Sequence, residues 1–198
     1  MNDRIGSRPG GRHALWLLVL LFFAPLLLSF WLYYGSSWRP AGRTNHGELI
    51  EPPRHLPAMV PPAAGPAVAG ATVFAEQWSL VYVGDGACDT QCRAVLYLMR
   101  QTHASLGRLG ARVQQVFLAS SRCCDQAFLG REHPTLRVID ASGPAAAELL
   151  DAFGHDRPGE AIFIVDPLGN LMMRYDIRQG PKGLQQDVKK LLELSHVG

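Results

Sequence analysis

The sequence predicts an α/β domain, a mixed sheet flanked by helices, preceded by one N-terminal transmembrane helix. Three observations carry this. Ala14–Tyr34 is a run of 21 residues without a charge, rich in Leu, Phe and Trp. Further on, short apolar runs with β-branched residues alternate with stretches whose apolar residues recur at helical spacing. The chain then closes on a strand, a turn, a second strand and an amphipathic helix, the ending of a mixed sheet.

The apolar run comes first. As a helix it is about 31 Å long, enough to cross a bilayer. Pro25 interrupts it, which a membrane helix tolerates. Trp31, Tyr33, Tyr34 and Trp38 gather at its far end like an interfacial aromatic belt. Arg4, Arg8 and Arg12 precede it and favour a cytoplasmic N-terminus, although Arg39 and Arg43 come after it. Its length and the lack of a clear small-x-small site argue against a cleaved signal peptide. Residues 1–13 are then a cytoplasmic tail and 14–34 the anchor. The remainder of the chain lies outside the cytoplasm, in the periplasm of a bacterium.

Residues 35–68 hold seven of the 14 prolines and few large apolar residues. They predict a stiff linker that reaches at most about 100 Å in polyproline II. Asn45-His-Gly-Glu-Leu-Ile50 is less proline-rich and is the part expected to fold back on the domain. Residues 69–195 are long enough for one domain with its own core. The net charge is +2, with no basic stripe to suit a nucleic-acid partner.

Within that domain Ser79–Val83 predicts a buried strand, broken by Gly84 and Gly86. Thr90–Leu109 predicts a helix with Val95, Met99, Thr102, Leu106 and Leu109 on one face. Val113–Ala119 is a strand, Asp125–Glu132 a short helix and Leu136–Ile139 a short strand. Ala145–Ala152 is a helix with Pro144 at its start. Ala161–Val165 and Leu171–Tyr175 are strands joined by the turn Asp166-Pro-Leu-Gly169. Gly183–Leu194 closes the chain as a helix with Leu184, Val188, Leu191 and Leu192 inward.

The chemistry concentrates at Cys88 and Cys92, just after the first strand and opening the first helix. Helix dipole and free amides at such an end favour the thiolate, the reactive and metal-binding form. Arg93 adds to this effect, whereas Asp85 and Asp89 oppose it. Two chemistries fit: dithiol–disulfide exchange and soft-metal binding. A purely structural bridge is the alternative, and it requires Cys88 to lie before the helix proper. Cys123 and Cys124 are adjacent. A vicinal disulfide and free buried thiols are both open, the latter being commoner, and either cysteine could resolve the first pair or help bind metal. Glu160 is a candidate proton acceptor or oxygen ligand, and His155 a candidate copper ligand. His133, before Pro134, is expected on a surface turn. Met172 and Met173 face opposite sides of their strand, so at least one belongs to the core.

A redox helix after the first long strand and a terminal ββα unit resemble the thioredoxin fold. Within it the chain resembles the Sco (Sco/SenC) family, which serves the copper centre of cytochrome c oxidase. The resemblance lies in the anchor, in Cys88-Asp-Thr-Gln-Cys92, in Leu80-Val-Tyr-Val-Gly84 before it and in Val165-Asp-Pro-Leu-Gly-Asn170. Sco proteins carry Pro directly after the second cysteine, where this chain has Arg93. They also carry a His before the penultimate strand to complete a Cys₂His copper site. Here that stretch reads Arg157-Pro-Gly-Glu-Ala161, and His155 lies a few residues early. The chain is thus similar to a divergent member of the family.

The resemblance implies a membrane-anchored factor for oxidase assembly, with an oxidase subunit or another assembly factor as partner. It would reduce the oxidase's copper-ligand cysteines or carry Cu(I) on Cys88 and Cys92, soft sulfur being suited to Cu(I). In the reductant version the more exposed thiolate attacks and the other resolves. The alternative is a non-catalytic adaptor whose cysteines form a staple. A peroxidase is disfavoured, because Asp85 stands where a peroxidatic site needs Thr or Ser.

Overall fold

The computed structural model describes residues 11–35, 45–57, 73–154 and 159–195. The chain divides into two units, Met1–Arg43 and Thr44–Gly198. In the first, helix α1 spans Gly11–Gly35, and its His13–Gly35 portion is long and apolar enough to cross a membrane. Apart from the half-buried Leu32, its Leu, Phe and Trp side chains are exposed, including Leu17, Leu20, Phe22 and Trp31. A helix apolar on every side needs a hydrocarbon environment to bury it.

The second unit is one six-stranded sheet with helices on both faces. Its elements run β1 (Glu48–His55), β2 (Trp78–Asp85), α2 (Thr90–Ser105), β3 (Val113–Ser121), α3 (Gln126–Glu132) and β4 (Arg137–Asp140). They continue with α4 (Ala147–Phe153), β5 (Ala161–Val165), β6 (Asn170–Asp176) and α5 (Pro181–Leu194). The strand order is β1-β6-β5-β2-β3-β4. β2, β3 and β4 are parallel, so α2 and α3 serve as crossovers. β5 returns antiparallel to β2 and forms a hairpin with β6.

Covering both faces explains why β2 is buried from Trp78 to Gly84 instead of alternating. Leu80 and Tyr82 point to one face, where they join Val95, Leu96 and Met99 of α2 and Leu184, Val188 and Leu192 of α5. Val81 and Val83 point to the other, against Leu149 and Phe153 of α4. Met173 is buried and Met172 half-buried, as strand alternation requires.

Three expectations change. The first helix ends at Ser105, not Leu109, and continues as a tighter 3₁₀ turn over Gly107–Arg112. Gly107 adopts φ +57°, the left-handed conformation that ends helices. Strand β1 falls inside the segment read as a linker. It pairs antiparallel with β6 through Glu48–Arg174, Leu49–Met173, Arg54–Leu171 and His55–Asn170. A register shift between Leu49 and Arg54 accommodates Pro52 and Pro53 at this edge position. Just before it, the buried Asp187 of α5 accepts from the backbone N–H of His46 (2.9 Å) and Gly47 (2.7 Å). The segment Asn45–Ile50 does fold back on the domain. Finally, His133 is not on the surface. It is only 5% exposed, caps the end of α3 and meets the Phe128 ring edge-on at 5.4 Å.

Candidate redox site

The cysteines sit at the C-terminal ends of two adjacent parallel strands. β2 ends at Asp85 and β3 at Ser121, and these two residues are register partners. The loop after β2 turns through Gly86-Ala-Cys88, with the Cys88 N–H donating to the Asp85 carbonyl at 3.0 Å. Asp89 caps α2, its carboxylate accepting from the Cys92 N–H at 2.9 Å. Cys88 therefore lies outside the helix and Cys92 is its third residue.

This placement lets the two sulfurs meet. Cys88 and Cys92 form a disulfide across a Cα–Cα separation of 5.1 Å. Cys88 is 1% and Cys92 2% exposed, so exposure does not rank one above the other as attacking thiol. This departs from the expectation that one of them would be clearly more open.

Cys123 and Cys124 are also joined to each other, not free and buried. Cys123 is exposed and Cys124 half-buried. The loop that carries them is tied to the first. The Gly86 N–H donates to the Ser121 carbonyl at 2.8 Å, and the Asp125 N–H to the Gly86 carbonyl at 3.0 Å. Arg122 binds the Asp85 carboxylate, which holds that carboxyl below its ordinary pKa.

Arg93 connects the same two loops. Its Nε donates to the Cys88 carbonyl at 3.1 Å, and its Nη2 reaches Asp125 at 3.2 Å. The guanidinium also lies 4.3 Å from the Phe128 ring centre, a cation–π arrangement. Arg93 thus acts on the cysteine loop through the Cys88 carbonyl. Asp89 is engaged as the helix cap, and Asp85 as the partner of Arg122.

The loop before β5 approaches the N-terminal turn of α2, where Gln91 Nε2 donates to the Gly159 carbonyl at 2.9 Å. Gly159 has φ +92°, and a Cβ there would sit 3.4 Å from the Tyr82 hydroxyl. Tyr82, buried and stacked on Phe117, has its pKa pushed up to about 12 by burial and by the Asp89 charge. It is a neutral phenol beneath the site. Glu160 is half-buried at the start of β5, close enough to Arg178 for its charge to be felt there. His155 lies outside the described residues. Sequence reasoning missed Tyr82, hidden as one more residue in an apolar strand. It also missed the role of Asp125, although its place before a short helix marked it as a cap.

Among the described residues no group of three or more His, Cys, Asp or Glu side chains is arranged to hold a metal. The soft donors at the site are the sulfurs of Cys88 and Cys92 and, on the neighbouring loop, those of Cys123 and Cys124. Thiolate sulfur suits Cu(I) better than a harder ion.

Comparison with known proteins agrees with this architecture. The solution structure of apo Sco1 from Thermus thermophilus is similar over 78% of this chain and 98% of its own, with a TM-score of 0.54 and 20% identity. Copper-bound yeast Sco1 is similar over 62% and 79%, with a TM-score of 0.50 and 16% identity. At such identities the likeness is one of fold. No curated protein matches the sequence. The model of a family described as transmembrane-like, thioredoxin-like, C-terminal domain matches residues 78–195, which contain both disulfides and five of the six strands. The chain belongs to this thioredoxin-like family.

Proposed function

We propose that this protein is a membrane-anchored thiol–disulfide factor of the bacterial periplasm that assists cytochrome c oxidase assembly. The observation that carries the reading is the Cys88–Cys92 disulfide, with one sulfur in the strand–helix loop and the other in the first turn of α2. Reduction there yields two thiols beside the positive end of a 16-residue helix, which stabilises a thiolate. Cys88, in the loop, is the attacking thiol. It bonds to one sulfur of a target disulfide and the other leaves as thiolate. Cys92 then attacks Cys88, releasing the target's second thiol and re-forming the Cys88–Cys92 bond. Residues 1–13 are assigned to the cytoplasm, 14–34 to the inner membrane and the sheet domain to the periplasm. The target is a cysteine pair of an oxidase subunit, or another assembly factor.

Carriage of Cu(I) as cargo is the second reading. It is favoured by the two-sulfur donor set and by the fold shared with a copper-bound Sco1.

The test is genetic. Cells whose only copy carries Cys88→Ser or Cys92→Ser should lose oxidase activity while the protein stays in the membrane at normal level. Restoration of that activity by an added small dithiol favours the reductant reading, and restoration by added copper favours the cargo reading. Full oxidase activity in both variants would sink the proposal.

A further inference from the structure

We propose that Cys123–Cys124 is a second thiol–disulfide site, through which the thiols of a reducing partner protein reach the buried Cys88–Cys92 pair. The inference rests on the redox reading of Cys88–Cys92 and extends it to the partner's point of entry.

Burial is the first argument. Cys88 and Cys92 are 1% and 2% exposed whereas Cys123 is exposed, so in the oxidised protein Cys123 is the sulfur that a partner's thiolate meets first. Exchange requires collinear access to a sulfur. Cys123 is exposed and presents that access on the neighbouring loop.

Proximity is the second. The two pairs come after register partners, Asp85 and Ser121, on adjacent parallel strands. A Cβ on Gly86 would stand 2.6 Å from the Cys123 Cα and 2.9 Å from the carbonyls of Ser121 and Arg122. Only glycine allows the loops to lie this close. Cys124 itself packs against the apolar cluster that contains Cys88 and Cys92. Arg93 and the Gly86 backbone bond both loops into one unit.

The exchange balances. The reductant is a protein dithiol of the same compartment. One of its thiolates attacks Cys123 Sγ, the Cys123–Cys124 bond breaks, and its electron pair leaves on Cys124. The partner's second thiol then displaces Cys123, and the partner departs oxidised. One of the two new thiolates attacks the Cys88–Cys92 bond. Its neighbour resolves the inter-loop disulfide, so the vicinal bond re-forms and Cys88 and Cys92 are left as thiols. Two electrons and two protons move inward at each turnover.

The test uses the full-length protein in detergent micelles, with reduced thioredoxin as the probe. Acid quenching, alkylation and mass spectrometry track the redox state of each pair. Replacing both outer cysteines (Cys123→Ser with Cys124→Ser) should slow reduction of Cys88–Cys92 by at least about tenfold, since access is lost. A second measurement does not depend on that variant's loop. With Cys92→Ser, one of the single changes Cys123→Ser or Cys124→Ser should, after oxidation with glutathione disulfide in place of thioredoxin, leave a Cys88-to-loop disulfide equivalent to the exchange intermediate. The proposal needs both results. An unchanged rate, or free thiols in both trapping variants while they remain folded, would overturn it. Failure of thioredoxin to reduce Cys88–Cys92 in any folded form would instead remove the underlying redox reading.

Discussion

The Nε of Arg93 donates to the carbonyl of Cys88 at 3.1 Å, and the same guanidinium pairs with Asp125, one residue past Cys124. One side chain therefore spans the two disulfide-bearing loops from the position where the Sco resemblance has proline. Its side chain is 51% exposed, which keeps the ion pair weak. Arg93→Ala should cost about 1 kcal/mol, from the ion pair and the Phe128 contact together. Arg93→Lys should recover little of it, because an ammonium cannot bridge carbonyl and carboxylate as the fork does. Urea unfolding of the two variants measures this.

Asp187 fastens the N-terminal edge of the sheet. Its carboxylate is 2% exposed and accepts from the His46 and Gly47 amides and from His46 Nδ1. Asp187→Ala would leave those amides without their buried acceptor, at about 2–3 kcal/mol. Hydrogen exchange should show β1 losing protection first, while β2 and β3 keep theirs. Uniform loss across all strands would mean that β1 does not open separately.

His133 sets a pH dependence. Its pKa lies below the ordinary value of 6.5, first because the ring is buried and next because Arg100 repels its proton, with Glu132 opposing. The unfolded chain then binds the proton more readily, so stability rises with pH. This contribution is complete above about pH 6.5 and is lost as pH falls below it. His133→Phe should lack that loss when unfolding is measured at about pH 7.5 and about pH 5. An identical pH dependence in the variant would show that other groups carry it.

Copper binding should depend on oxidation state. Two thiolates suit Cu(I), while Cu(II) needs nitrogen donors that the described site lacks. The reduced protein should bind Cu(I) in a way that depends on both Cys88 and Cys92, and His155→Ala should change little. Competition with a chromophoric Cu(I) chelator measures this. A stable Cu(II) complex with a sulfur-to-copper charge-transfer band, lost in His155→Ala, would contradict it.

Much of the fold was legible because both faces of the sheet are covered. A wholly buried strand such as β2 then reads as an unbroken apolar run, and α5 declares its inner face through Leu184, Val188 and Leu192. β1 was not legible as a strand. It is almost wholly exposed and contains Pro52 and Pro53, a composition that an edge strand shares with a linker. The position of Cys88 and Cys92 where a strand gives way to a helix could be read from the apolar run and the helical spacing that flank them. The pairing of Cys123 with Cys124 could not, since adjacent cysteines say nothing about their bonding until the loop is placed. His133 was misplaced for a related reason: the proline after it signals a turn, but the Phe128 ring that covers it arrives from the preceding helix.

The redox function requires Cys88–Cys92 to cycle between disulfide and dithiol in the folded protein. Its reduction potential, measured by equilibration with glutathione or dithiothreitol buffers while circular dichroism monitors the fold, is the decisive quantity. The expected potential lies well above roughly −300 mV, the level below which structural disulfides resist reduction, with the sheet intact in the reduced form. A potential below that level, with unfolding on reduction, would contradict the redox function and leave the pair as a staple.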